Sequence, residues 1–458
     1  MTDTVQASAG QRPRDEGAFA LDHPFHLAVV LWGERFRNYF LDYCLPSLMA
    51  PGNIPAIATR QRSKFLIATR PDDWTAMAAA PIFQCMVRHV EPVFVEIPPC
   101  PPGRAGCEHM GIGHKLICEE AYRERAYSIH VMPDCMFSDG AIARVQELAR
   151  LGKELVLTAA LRFGEEPFFA NLADAGLMPH GGRRGNSEPL SISSRQMAMA
   201  AVKGFHPETL SYDWNSPDFV LNHAAVWWRV PGEDGIVLRS FSWAPVLLDY
   251  AAVRDLDTSV MDRWTIDGDF LHRNIGHSNA LHIVDDSDEM FFGSWTPMAD
   301  QVEPPARTWL FRIGWLRDLI RAAQVWRAYQ GPFVDPLKRR LFLQTVRWHG
   351  RPLNAAWDNV EHAAARHLRN ALGDAAAGAR GPRFAVRVTT ALLGGIEPVL
   401  HVALYPVYRA AMRRRIGQIM RGDRDALRRV GWHMRRVAHQ ILGRPFDEPA
   451  PKPPPAIS

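Results

Sequence analysis

Ile129-His130-Val131-Met132-Pro133-Asp134-Cys135-Met136-Phe137-Ser138-Asp139-Gly140 is an apolar run that ends in two acidic residues just before a helical pattern. An apolar run of this length reads as a buried strand, and in an alternating α/β chain ligands bind at the carboxyl ends of such strands. The carboxylates of Asp134 and Asp139 are therefore placed where a metal or a sugar would be gripped.

The elements on either side agree with that reading. Residues 26–32 (HLAVVLW) form a buried run followed by Gly33 and an amphipathic segment over 35–49, and residues 64–69 (KFLIAT) and 91–97 (EPVFVEI) form two more strands. Helical patterns are expected at 113–125, 141–152 and 192–203, and further strands at 154–159, 224–229, 235–238 and 282–284. Strands alternating with helices predict a mainly parallel sheet with helices on both faces.

The 458 residues are long enough for two or three domains, and 47% hydrophobic with 22% charged residues is ordinary globular composition. The net charge of +4 hides a division. Residues 1–300 carry 26 Lys+Arg and 38 Asp+Glu, a net −12, whereas residues 301–446 carry 26 and 9, a net +17. Basic segments attract phosphate, while an acidic block is suited to holding metal ions. Residues 1–21 read as a disordered leader and 447–458 as a proline-rich tail. From about 303 the pattern becomes helices without intervening strands, giving a basic helical region over 303–446.

The six cysteines form no CxxC pair, the first twenty residues lack a continuous apolar core, and no run is long enough to span a bilayer. A reducing cytoplasm is the expected setting.

The segment from Gly113-His114-Lys115-Leu116 through Tyr127, followed by residues 129–140, resembles the nucleotide-sugar-binding half of bacterial GT-A-type glycosyltransferases. The resemblance covers roughly the first 290 residues in element order, and its motif is confined to this segment. It implies a Rossmann-like GT-A fold, a nucleotide-sugar donor, and a divalent cation (Mn²⁺ or Mg²⁺) on the diphosphate. The family's Asp-x-Asp is incomplete here, since Asp134 has no second aspartate beside it. Asp134 and Asp139 otherwise read as a turn and helix cap.

A literal Asp-x-Asp occurs as Asp267-Gly268-Asp269, whose carboxylates suit a hard cation and whose other reading is a solvated turn. Together with Asp134 these are the metal candidates. Residues 282–289 (HIVDDSDE) supply Asp285, Asp286 and Asp288 as candidates for taking the acceptor's proton, against a solvated acidic loop. Trp32, Glu34 and Arg35, after the first strand, sit where the resemblance places base, ribose and phosphate contacts. They read equally as a helix start.

Three further patterns carry alternatives. Cys107, His109, His114 and Cys118 have zinc-ligand chemistry but awkward spacing. Residues 212–216 form an aromatic loop that suits a sugar ring or a surface anchor. Arginines interleaved with apolar residues over 409–437 suit an anionic membrane surface or ordinary helix packing; nucleic acid is the weaker partner, since no recognised module is present. Two functions result: a glycosyltransferase acting on a glycan, lipid or protein, or a non-catalytic protein of the same fold that binds a membrane or partner. A different nucleotide-dependent α/β enzyme, such as a methyltransferase, is disfavoured because no glycine-rich loop follows the first strand.

Overall fold

A computed structural model describes residues 23–59, 62–101, 106–183, 185, 188–217, 219–220, 224–262, 264–266, 268–300, 314–331, 334–373 and 382–393, and residues 427, 428, 431, 432, 434 and 435. The leader, the tail, Asp267 and most of the basic segment 409–437 lie outside them.

The strands are β1 (Phe25–Val30), β2 (Lys64–Thr69), β3 (Glu91–Glu96), β4 (Tyr127–Val131), β5 (Cys135–Phe137), β6 (Leu155–Ala159) and β7 (Arg162–Gly164). They continue with β8 (Ala225–Arg229), β9 (Gly235–Ser240), β10 (Trp243–Asp249), β11 (Leu281–Val284), β12 (Phe292–Thr296) and β13 (Val346–His349). Seven of them form one sheet in the order β11-β6-β10-β4-β1-β2-β3. β1 pairs in parallel with β2 and β4, β2 with β3, and β6 with β11. Only β10 runs antiparallel, against β4 and β6, and its register shifts between Pro245 and Leu247, where the proline has no N–H to donate.

All six residues of β1 are buried because the strand is covered on both faces. Phe25, Leu27, Val29 and Leu31 pack with Phe40, Leu45 and Leu48 of the following helical segment and with Ile142 and Val145 of helix Ala141–Arg150. Ala28 and Val30 face the other way, with Leu66, Ala68 and Ile117 of helix Gly106–Arg123. That helix can approach because Gly113 carries no side chain: a Cβ there would stand 2.6 Å from Val30 Cγ1 and 3.1 Å from the Ala68 methyl. The β1-to-β2 connection and the β3-to-β4 connection thus leave on opposite faces, and the strand order reverses between β1 and β4. At such a reversal a ligand crevice is expected at the carboxyl ends of the strands.

The expected α/β architecture, with a mostly parallel sheet and flanking helices, is what the chain adopts. Three local expectations are corrected. β8 and β9 do not complete the main sheet but form a separate three-stranded sheet with β13, in the order β13-β9-β8. The segment after 303 is not helices alone, because the alternating residues of Thr345-Val346-Arg347-Trp348-His349 send Val346 and Trp348 into the core while β13 pairs with β9. Helices Arg317–Tyr329 and Ala355–Leu372 cover this sheet around Trp228, Phe241 and Trp326. Finally, β10 and β12 arise where no strand was expected. Among the described residues, no helix is long and apolar enough to cross a membrane.

Ser128 and His130 of β4 face helix Gly106–Arg123, where the His114 and His130 rings lie 6.3 Å apart in an edge-on pair. Burial holds His114 down to about 4 and His130 down to about 3, from an ordinary 6.5, so both are neutral in the fold. The unfolded chain therefore takes up more protons than the folded one once the pH drops below about 6.5. Stability from these two groups should be complete above that pH and fall on the way down to about 4, by on the order of 3 kcal/mol per histidine. Urea midpoints measured at pH 7.5, 6 and 5 should decline steeply, and His130→Leu should flatten part of that decline. An unchanged slope would exclude His130 as a contributor.

Candidate functional site

The crevice between β1 and β4 is built from the turn that leaves β1. Gly33 adopts φ 82°, a conformation that favours glycine, and its N–H donates to Asp73 Oδ2 at 2.8 Å. Arg37 donates to the other oxygen of Asp73 at 2.8 Å, so this buried carboxylate fixes both the turn and the first helical residues. Trp32 is held edge-on to His109, 5.0 Å between centroids, and His109 is in turn bonded to the Pro98 carbonyl. Glu34 lies exposed in the first helical turn. Arg35 projects outward, pairs with Asp300 at 2.8 Å and lies over the Tyr39 ring at 5.6 Å.

On the β4 side, Asp134 follows the strand, and its carbonyl accepts from Trp295 N–H at 3.2 Å as β5 and β12 come together. Burial pushes the Asp134 carboxyl above the ordinary carboxylate range, and the charges of Arg162 and Arg35 oppose that rise. Arg162 is steadied by a 2.7 Å bond to Thr296 Oγ1. The aromatic wall behind them consists of Tyr39, Tyr43, Phe169 and Trp295, with Tyr43 stacked on Phe169 at 4.2 Å and standing edge-on to Trp295. Tyr39 donates its hydroxyl to Glu165, whose carboxyl is raised first by burial and then by the neighbouring Glu166.

A divalent ion needs several oxygen ligands, and the surroundings of Asp134 do not supply them. Its electrostatic neighbours are two guanidinium groups, and the nearby acids Glu165, Glu166 and Asp300 are bonded to Tyr39, the Met298 N–H and Arg35. Asp269 is not brought here: it is paired with Arg273, which also binds Asp257. Among the described residues, Asp134 and Asp269 of the expected metal set do not share a site, and Asp267 lies outside those residues. The same positive charges fit a diphosphate directly.

Asp139 has a different task. Its Oδ1 accepts from Gly52 N–H at 2.7 Å and its Oδ2 from Ser191 Oγ at 2.5 Å, so it ties two loops together. Helix Ala141–Arg150 is preceded by Gly140 at φ 87° with no side-chain cap, and Asp139 does not cap it.

Asp286 and Asp288 meet His349 of β13 instead of Asp134. His349 Nε2 lies 2.8 Å from Asp286 Oδ1 and 4.0 Å from Asp288 Oδ1, and Arg195 grips both oxygens of Asp288. Asp285 is exposed beside them, its carbonyl accepting from Arg347 N–H at 2.8 Å. The β5–β12 ribbon separates the two places: Asp134 bonds Trp295 at one end and Ser138 bonds Phe291 at the other. Four residues of extended chain span about 13 Å, and Asp288 lies beyond the far end. A carboxylate held twice by arginine, as Asp288 is, is also a poor proton acceptor.

The other sequence candidates resolve as structure. Cys118 is buried against Tyr250, with its thiol pushed up to about 12, Cys107 is exposed, and His109 and His114 point to different partners, so these four do not form one ion site. Tyr212 and Trp214 are core residues: Tyr212 bonds Glu208 at 2.7 Å and Trp214 stacks on His367 at 4.4 Å. Arg162, Tyr39, Glu165 and Asp73 were not singled out as site residues from sequence. Only the Glu165-Glu166 pair carried a local signal, an acidic start to helix Glu165–Asp174.

No protein-family model matches the chain, and no curated protein does. Among solved structures it is similar to a Bacillus anthracis protein assigned as a glucose-1-phosphate thymidylyltransferase, determined in complex with sucrose. The likeness covers 31% of this chain and 57% of that one, at 10% identity and a TM-score of 0.20. At that score it carries no argument about the site.

Asp139→Ala removes two bonds to a charged acceptor and should cost about 2 kcal/mol in urea unfolding. Ligand affinity at the crevice should change less than twofold, because the task of Asp139 is to tie two loops together. A loss of affinity without loss of stability would return Asp139 to the site.

Proposed function

We propose that residues 22–302 form a GT-A-like catalytic region whose β1–β4 crevice binds a nucleotide-sugar, and that the chain transfers the sugar to a glycan, lipid or protein acceptor. The observation that carries this reading is the position of Trp32, Glu34 and Arg35 after β1 and of Asp134 after β4, at the reversal of strand order, with the Arg35 charge acting on Asp134. Ligands of open α/β sheets bind at that position.

In this reading Trp32 and Glu34 meet the base and a ribose hydroxyl, while Arg35 and Arg162 neutralise the diphosphate. The acceptor oxygen attacks the anomeric carbon as the bond to the diphosphate breaks. The departing negative charge is met by the guanidinium groups, and the acceptor proton passes to Glu165, whose raised pKa suits a base. No step passes through a metal at Asp134. A second reading, nucleotide-sugar binding without transfer, is favoured by one observation: among the described residues, Asp134 joins no group of metal-ligating side chains.

The basic region 303–446, with its arginines over 409–437, is proposed to meet an anionic membrane surface at the cytoplasmic face. That part of the reading rests on charge and spacing in the sequence.

Thermal shift of the full chain against UDP-, GDP-, CMP- and dTDP-sugars, each with Mn²⁺ and with EDTA, tests the donor site. One nucleotide family should raise the Tm equally in both conditions, and Arg162→Ala should weaken its binding at least tenfold. A shift that requires Mn²⁺ would overturn the arginine assignment, and no shift with any donor would overturn the proposed function. Release of free nucleoside diphosphate in the presence of acceptor separates transfer from binding alone.

A further inference from the structure

The turn after β11 and the end of β13 bring Asp286, Asp288 and His349 together so that one donor atom from each lies within 4.8 Å of the others. His349 is 2% exposed and comes from a separate part of the chain, more than sixty residues downstream. Its Nδ1 lies 2.7 Å from the Arg351 carbonyl, an oxygen that can only accept, so Nδ1 carries a proton and Nε2 is the ring nitrogen turned toward the two carboxylates.

Nε2 lies 2.8 Å from Asp286 Oδ1, a spacing that a proton or a metal ion between the two atoms satisfies. A proton on Nε2 joins His349 to Asp286 only, while Asp288 Oδ1, 4.0 Å away, is held by Arg195. An ion with bonds of about 2.0–2.2 Å holds its ligands about 3–4 Å apart, and so takes in both oxygens and the nitrogen with small adjustments. The orienting bond from Nδ1 to a backbone carbonyl is the outer contact that metal-bound histidines use. Asp288 keeps its Arg195 contact because a carboxylate oxygen has more than one lone pair.

We propose that Asp286, Asp288 and His349 bind a divalent first-row transition ion, Mn²⁺ or Zn²⁺, separate from the β1–β4 crevice. Imidazole with two carboxylates suits these ions better than Ca²⁺ or Mg²⁺. Solvent reaches the site from the Asp288 side, since that side chain is 36% exposed, and water would complete the coordination. The ion would clasp the 285–289 turn to β13. These segments already share backbone bonds from Arg347 N–H to Asp285 and from Ser287 N–H to Arg347, and so the ion would tie the segment after residue 313 to the main sheet.

The test is isothermal titration of Mn²⁺ and of Zn²⁺ into the chelator-stripped full chain, with pulsed electron paramagnetic resonance of the Mn²⁺ form. One equivalent should bind, a nitrogen coupling should appear, and His349→Gln should abolish the coupling and weaken binding at least tenfold. Asp288→Asn, a partly exposed position, serves if the buried His349 variant fails to fold, and should weaken binding to a similar degree. Asp285→Asn should bind as the unaltered chain does. Absence of binding, absence of nitrogen coupling, or equal loss in Asp285→Asn would overturn the proposal and leave a protonated His349 paired with Asp286. Nucleotide-sugar binding is not the readout, so this site and the crevice fail or stand separately.

Discussion

Burial of β1 on both faces is the constraint on which the rest of the molecule depends. A strand covered on both sides cannot alternate polar and apolar residues, so Phe25, Leu27, Val29 and Leu31 fill one core while Ala28 and Val30 accept a helix on the other. The two layers are not equivalent in thickness. Small residues at 28, 68 and 113 let helix Gly106–Arg123 sit close, and that contact fixes the approach to β4.

The crevice follows from this packing. Because the connections from β1 and into β4 occupy opposite faces, the two strands end at a reversal of strand order, and the charge of Arg35 acts on Asp134 there. Burial then sets their chemistry. It raises the carboxyls of Asp134 and Glu165, while the guanidinium groups of Arg35 and Arg162 oppose the rise at Asp134.

The acidic turn at 285–289 shows how charge is divided between two places on one scaffold. The β5–β12 ribbon carries Asp134 at one end and leads to Asp286 and Asp288 beyond the other, so acids that look alike in sequence face different partners. At one end the partners are arginines. At the other they are Arg195 and a buried imidazole, and the polar links between Ser287, Arg347 and His349 join the later segment to the sheet.

The sequence by itself determined the alternation of strands and helices through most of the first 160 residues, because runs such as 26–32, 64–69 and 127–131 can be satisfied only by burial on both faces. It also placed Asp134 and Arg35 after their strands, since each follows directly on an apolar run. Tertiary structure alone decided which acids meet. Asp139 became a crosslink because Gly52 and Ser191 arrive from distant segments, and His349 joined Asp286 because β13 pairs with β9, a contact that no local periodicity encodes. β10 was hidden for a similar reason: Pro245 interrupts the run, and the strand is held by β4 and β6 on either side of it. Local patterns record burial and turn preference, whereas a site depends on which side chains are brought within a few ångströms, and that is set by packing between elements far apart in the chain.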